Sequence, residues 1–144
     1  MNLKEFSISI RIYIEDTDAG GIVYYVNYLK FMERCRTEFL RALGYHKPAI
    51  LDDGLLLVVH FAQVDYHRPA RLDDELRVTT SIVKLARTYI EFQQRIFREQ
   101  ELLCSGHIRV ACVDASVMKP RAIPAQMHQQ ITEFQTSQFT ETQG

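Results

Sequence analysis

The sequence predicts an α+β domain: an antiparallel sheet of five strands with one long helix packed on a face of it. Three observations lead there. Five stretches, at residues 6–14, 55–66, 75–86, 89–98 and 101–114, are rich in β-formers and mostly alternate apolar with polar residues. The last four follow one another through connections too short for a crossover, which makes them antiparallel neighbours. Between the first and second lies a stretch with helical periodicity. There Val26, Leu29, Met32, Cys35, Phe39, Leu40 and Leu43 recur at spacings of three and four, with charged residues mostly between.

In chain order, Ile8, Ile10, Ile12 and Ile14 alternate with Ser7, Ser9, Arg11 and Tyr13, the pattern of a strand with one wet face. The carboxylate-rich loop Glu15 to Gly21 follows, then the helix over about Tyr24 to Leu43. Gly44 is its expected stop, with Arg41 in the last turn. Pro48 and D-D-G mark 45–54 as a loop. Pro69 cannot donate to a ladder, so 67–74 is a turn or bulge region. Arg87-Thr88 is a tight turn. K-P-R-A-I-P at 119–124 ends the last strand, and Pro124 suits the first turn of a short helix to about Phe134. The expected domain is 1–134, with 135–144 a polar, frayed tail.

A chain of 144 residues and 47% hydrophobic content has the size and composition of one soluble globular domain. Net charge is −1, from 17 basic and 18 acidic residues, so no field recruits nucleic acid or an anionic membrane. Cys35, Cys104 and Cys112 are odd in number and lack metal-ligand spacing, which argues against a disulfide framework or a zinc site. M-N-L-K-E-F lacks the apolar core of a secretory signal, and no apolar run is long enough to span a bilayer. The expected location is cytoplasmic.

Chemistry concentrates in Glu15 to Leu43. Glu15, Asp16 and Asp18 place three carboxylates just before Gly20-Gly21, where the backbone can approach a ligand closely. A helix start with unpaired N–H groups follows. Such a loop is as often simply solvated. Beside a helix start it reads as an acid/base or nucleophile next to an anion-stabilising pocket. No histidine lies near enough in sequence to complete a metal set.

The stretch E-D-T-D-A-G-G-I-V-Y-Y-V-N-Y resembles the signature of hotdog-fold acyl-CoA thioesterases of the 4-hydroxybenzoyl-CoA thioesterase type. The resemblance continues through M-E-R-C-R-T-E-F-L-R, V-D-Y-H-R-P-A-R-L-D-D-E-L and C-V-D-A-S-V-M-K-P-R-A-I-P, over roughly residues 8–125. It is nearest to the branch encoded beside Tol–Pal envelope genes. It implies a five-stranded antiparallel sheet wrapped around one long central helix, and hydrolysis of a short-chain or related acyl-CoA to free acid and CoA. It implies Asp18 as the catalytic carboxylate, nucleophile or general base, and the Tyr25 backbone N–H as oxyanion donor. The Tol–Pal branch usually carries histidine at the Tyr25 position, whereas the hydroxybenzoyl-CoA enzymes carry tyrosine, which leaves the acyl preference open.

The resemblance also implies active sites at a dimer interface, in dimers or tetramers. Coenzyme A enters as part of the substrate, and no cofactor is expected. Lys84, Arg87 and Lys119 are the candidates for its phosphates, each equally readable as a solvated cation. His60 interrupts an apolar strand and is a candidate for the acyl pocket or a core histidine; His46, His67, His107 and His128 have no distinguishing context. Glu33 is the nearest match to a second hotdog arrangement, in which the carboxylate sits on the central helix, and an exposed helix charge is its plainer reading. Two rival functions stay open: an aryl-CoA thioesterase, and a non-catalytic scaffold that binds acyl carriers or envelope-associated enzymes.

Overall fold

A computed structural model describes residues 3–136. The order is β1 (Phe6–Arg11), a 3₁₀ turn (Ile14–Asp16), α1 (Asn27–Ala42), β2 (Leu55–Tyr66), β3 (Glu75–Leu85), β4 (Tyr89–Arg98), β5 (Glu101–Asp114) and α2 (Ala125–Thr136). The strands form one antiparallel sheet in the order β1-β3-β4-β5-β2. The five-stranded antiparallel sheet is that of the hotdog expectation, with α1 packed on it and a second helix, α2, after β5.

Several boundaries differ from the sequence pattern. The first strand ends at Arg11, not at residue 14. Ile12 is still buried, but Ile14 is 74% exposed on the 3₁₀ turn, because Asp16 Oδ2 takes the Tyr13 N–H at 2.9 Å and curls the chain. The helix starts at Asn27, three residues late. Tyr24 N–H is drawn to the Asp16 carbonyl at 3.0 Å, so Tyr24 and Tyr25 remain in the approach to the helix. At the other end Gly44, with φ of 111°, does what its position implied. Its N–H reaches Arg41 O at 2.9 Å and the Tyr45 N–H reaches Leu40 O at 3.2 Å, the paired bonds of a Schellman stop. α2 runs to Thr136, past the expected tail boundary; the rest of the tail expected over 135–144 lies outside the described residues.

α1 buries Tyr28, Phe31, Met32, Cys35 and Phe39 and packs chiefly on β1, β3 and β4. Phe39 is the hub, with edge-on contacts to Phe6, Phe92 and Phe134. Fully burying side chains of this size stabilises by about 1.5–3 kcal/mol each. Met32 reaches β5 at Gly106, where a Cβ would stand 2.9 Å from its sulfur, so glycine permits the approach. Beyond that contact the inward face of β5 is still buried, whereas most of β2 is left open. Strands β1 and β2 are the two sheet edges, and β2 is the longer, with Val59, Phe61 and Tyr66 exposed. Helix and sheet therefore cover each other only over part of their length within one copy.

Candidate active site

The loop between the 3₁₀ turn and α1 is closed on itself. Asp18 N–H donates to Ile22 O at 3.0 Å, Gly21 N–H to Asp18 O at 3.1 Å, and Thr17 bridges Val23. Gly21 sits at φ of 74°, the left-handed region where glycine is favoured. Gly20 is different: a Cβ there would meet Asp18 Oδ1 at an ordinary 3.7 Å, so its contribution is its N–H. Val23 N–H to Ala70 O and Leu72 N–H to Gly21 O anchor the loop to the segment ahead of β3.

The three carboxylates are thereby given different work. Asp16 is structural: its side chain takes the Tyr13 N–H, and its carbonyl takes Tyr24 N–H and Asn27 Nδ2. Glu15 is exposed on the 3₁₀ turn. Asp18 is exposed, its Oδ1 accepts the Gly20 N–H at 3.0 Å, and its Oδ2 accepts from no donor among the described residues. Only Asp18 is both held and available.

At the helix start, Asn27, Tyr28 and Leu29 N–H groups close onto Tyr24, Tyr25 and Val26 carbonyls. Val26, the N-cap residue, supplies no side-chain cap. Among the described residues the Tyr25 and Val26 N–H groups have no acceptor, which leaves two donors at the positive end of α1. The sequence singled out Tyr25 and missed Val26, for which the short-span closing bonds are the reason.

Around these donors stand aromatic rings. Tyr25 meets Tyr24 at 5.2 Å and Tyr66 at 5.8 Å between centroids, and Tyr66 rests on Tyr28 at 5.5 Å. Tyr28 is buried, and its hydroxyl oxygen accepts the Ala70 N–H at 2.8 Å, so the wall has a fixed backing. Tyr66, at the end of a strand whose pattern gave it no distinction, joins the site only through this packing.

Other predicted residues lie elsewhere. Lys84, Arg87 and Lys119 gather at the end of the sheet where β3 turns into β4 and β5 ends: Arg87 O accepts the Ile123 N–H and Lys119 O the Asp114 N–H. Asp18 lies at the opposite end, about 30 Å away along ten-residue β4. Lys84 Nζ stands 5.4 Å from the Tyr89 ring centre, and that hydroxyl holds the ammonium pKa above its usual value. His60 is the unpaired residue of a bulge between Val59 and Phe61, exposed on edge strand β2. Glu33 is exposed, two turns into α1, and lines a groove with Arg36 and Thr37 rather than the Asp18 loop. Burial pushes the Cys35 and Cys104 thiols up to about 11 and about 12, so neither is a thiolate nucleophile near neutral pH.

Residues 20–105 match the family model described as the thioesterase superfamily. The chain belongs to that superfamily. It is 43% identical over 123 residues to a Haemophilus influenzae protein named acyl-CoA thioesterase YbgC, covering 85% of this chain and 90% of that one. It is 42% identical over 125 residues to an Escherichia coli acyl-CoA thioester hydrolase YbgC, with 86% and 93% coverage. Among solved structures, a probable thioesterase from Bartonella henselae superimposes with a TM-score of 0.77 at 32% identity, covering 83% of this chain and 99% of that one. In this superfamily member no described helix is long and apolar enough to cross a membrane.

Proposed function

We propose that this protein hydrolyses short-chain acyl-CoA thioesters to free acid and CoA, with Asp18 as nucleophile or general base. The observation that carries this is an exposed carboxylate, steered by one backbone N–H, in the loop that leads to two unengaged N–H donors at a helix start. A thioester suits such a sparse site. Its carbonyl is electrophilic, and a thiolate with a pKa of about 8.5 leaves without a strong general acid. Asp18 attacks the carbonyl to give a mixed anhydride, or takes a proton from an attacking water. Either path places negative charge on the thioester oxygen, where the Tyr25 N–H acts as oxyanion donor. The chemistry uses no cofactor, and the CoA moiety belongs to the substrate. The reaction takes place in the cytoplasm.

The site is completed by a second copy. A free twelve-residue edge on β2 with exposed apolar side chains needs covering. Two β2 edges related by a two-fold axis run antiparallel, which sets the Tyr66 end of one against the Leu55 end of the other. That brings the second copy's Lys84, Arg87 and Lys119 towards the Asp18 loop, within reach of CoA phosphates that they cannot serve in their own copy. Sedimentation at micromolar protein should find a dimer or larger, and a stable, active monomer refutes the shared site.

Thiol release from acyl-CoA esters of graded chain length, with an aromatic ester alongside, tests the reaction. Asp18→Asn should keep the fold and lose on the order of a thousandfold or more in turnover. Glu33→Gln should stay active; the reverse outcome assigns the chemistry to the helix carboxylate. The exposed Tyr24, Tyr25 and Tyr66 rings favour one second reading, an aryl-CoA ester lying against them.

A further inference from the structure

Arg36 lies part-buried in the groove named above, between α1 and the β4, β5 and β2 residues that line it. Its Nη1 donates to Gln94 Oε1 at 2.8 Å. Gln94 is fully buried, and its Nε2 donates both to Met32 O at 2.9 Å and to Thr80 Oγ1 at 2.8 Å. Turning that amide over would lose both bonds, so its oxygen is fixed towards Arg36. Arg36 makes no ion pair among the described residues. Fully buried side-chain nitrogens and oxygens among those residues all have a partner, so the remaining guanidinium donors face the groove and not the dry core.

The one hydrogen-bond partner of Arg36 among the described residues is a neutral amide, and the exposed Glu33 carboxylate one turn away favours its charge only through space. The guanidinium therefore keeps unfilled donors, an incomplete arrangement for a part-buried cation. Burial already disfavours its charged form. An anion in the groove would complete it, and a guanidinium fork matches a carboxylate with two parallel bonds. The groove floor, Leu57, Ile90, Phe92 and Val110, is apolar. Its volume of about 130 Å³ gives room for a short chain of non-hydrogen atoms. The shape and chemistry are those of a slot for a short aliphatic segment ending in a carboxylate.

Within one copy this slot lies towards the β3–β4 turn, away from Asp18, because Ile90 and Val110 pair at that end of the sheet. The two-fold pairing of β2 edges carries it to the Asp18 loop of the second copy. We propose that Arg36, oriented by Gln94, is a specificity-determining residue: it binds a carboxylate at the far end of an acyl group held at the second copy's Asp18. Monothioesters of short dicarboxylic acids are then preferred over plain fatty acyl thioesters of equal length. This rests on the thioesterase reading and the paired copies above. Glu33, exposed in the same lining, opposes the incoming anion and tempers the preference.

The test is kcat/KM for glutaryl-CoA and pentanoyl-CoA, matched in chain length and corrected for spontaneous hydrolysis. The wild type should favour glutaryl-CoA by about tenfold or more. Arg36→Met should lower the glutaryl value on the order of a hundredfold and leave the pentanoyl value within about threefold. Arg36→Lys keeps charge without the fork and should fall between; Glu33→Gln should raise the glutaryl preference. A heterodimer of Asp18→Asn with Arg36→Met keeps one intact site and should show about half the wild-type glutaryl turnover, as sites shared between copies require. Equal handling of the two esters by wild type, or an equal loss on both in Arg36→Met, overturns the assignment and leaves Arg36 a packing or intersubunit residue. A heterodimer no better than the Arg36→Met homodimer overturns its placement across copies. Should no acyl-CoA of any kind be hydrolysed, the thioesterase reading itself fails.

Discussion

Replacing Tyr25 separates what its backbone does from what its ring does. The phenol hydroxyl has no hydrogen-bond partner among the described residues, and its ring meets Tyr24 and Tyr66 through faces and edges that phenylalanine shares. Tyr25→Phe should therefore cost less than about tenfold in kcat if the side chain only shapes the site. Tyr25→Ala removes both ring contacts, each worth about 0.5–1.5 kcal/mol when well formed. With Tyr25 58% exposed, the lower end applies, so stability should fall by about 1 kcal/mol and activity modestly. Tyr25→Pro removes the same ring and the N–H as well. That N–H donates to nothing within the described chain and precedes the helix, so its loss breaks no fold-holding bond. Loss of one oxyanion donor costs about 10²–10³ in kcat, equivalent to about 2.7–4 kcal/mol. The Pro variant should therefore fall below the Ala variant by that factor. Thiol release measures kcat, with circular dichroism and a thermal melt as controls for folding. Equal activity in the Pro and Ala variants removes the Tyr25 N–H from the mechanism and leaves Val26 N–H as the donor to test. A Phe variant as poor as the Pro variant puts the hydroxyl into the chemistry and overturns the reasoning.

Two further outcomes follow from charges at the far end of the sheet. Neutralising whichever of Lys84, Arg87 and Lys119 meets a CoA phosphate should raise KM with kcat little changed; no change for any of them, even at low salt, returns all to solvated cations. Glu91, on the outer face, is held below the usual carboxylate range chiefly by Arg109, whose Nε and Nη2 reach Oε2 at 2.9 and 2.5 Å. A carboxyl with a depressed folded-state pKa contributes stability above its unfolded value and loses it as pH falls through the folded one. Glu91→Gln should flatten that acid limb in a series of denaturant melts, and an unchanged limb would leave the Arg109 contact without effect on stability.

Much of the fold was legible because it is written in local rules. The β2, β4 and β5 ranges follow from alternation and turn residues, and Gly44 stops α1 because a left-handed residue lets two N–H groups reach back to the last carbonyls. The misreadings sit where a side chain or a distant backbone group outcompetes periodicity. Ile14 continues an alternating pattern, yet Asp16 turns the chain before it. Leu29 fits the apolar spacing of the helix, yet is 38% exposed, since α1 covers only part of the sheet.

The sequence by itself determined the residue types at the site: a carboxylate before glycines, ahead of a helix start. Those are neighbours along the chain, and their proximity needs no tertiary contact. Which carboxylate is free was decided only by folding, because Asp16 is consumed by Tyr13, Tyr24 and Asn27 while Asp18 keeps an open oxygen. The tertiary structure alone set Tyr66 beside Tyr25 and fixed Arg36 by Gln94, residues 41 and 58 positions apart in the chain. It also parted the candidate phosphate cations from Asp18 by the length of a strand. Pairings of that kind depend on sheet register, which is set by the burial of a whole face at once, and no local pattern carries it.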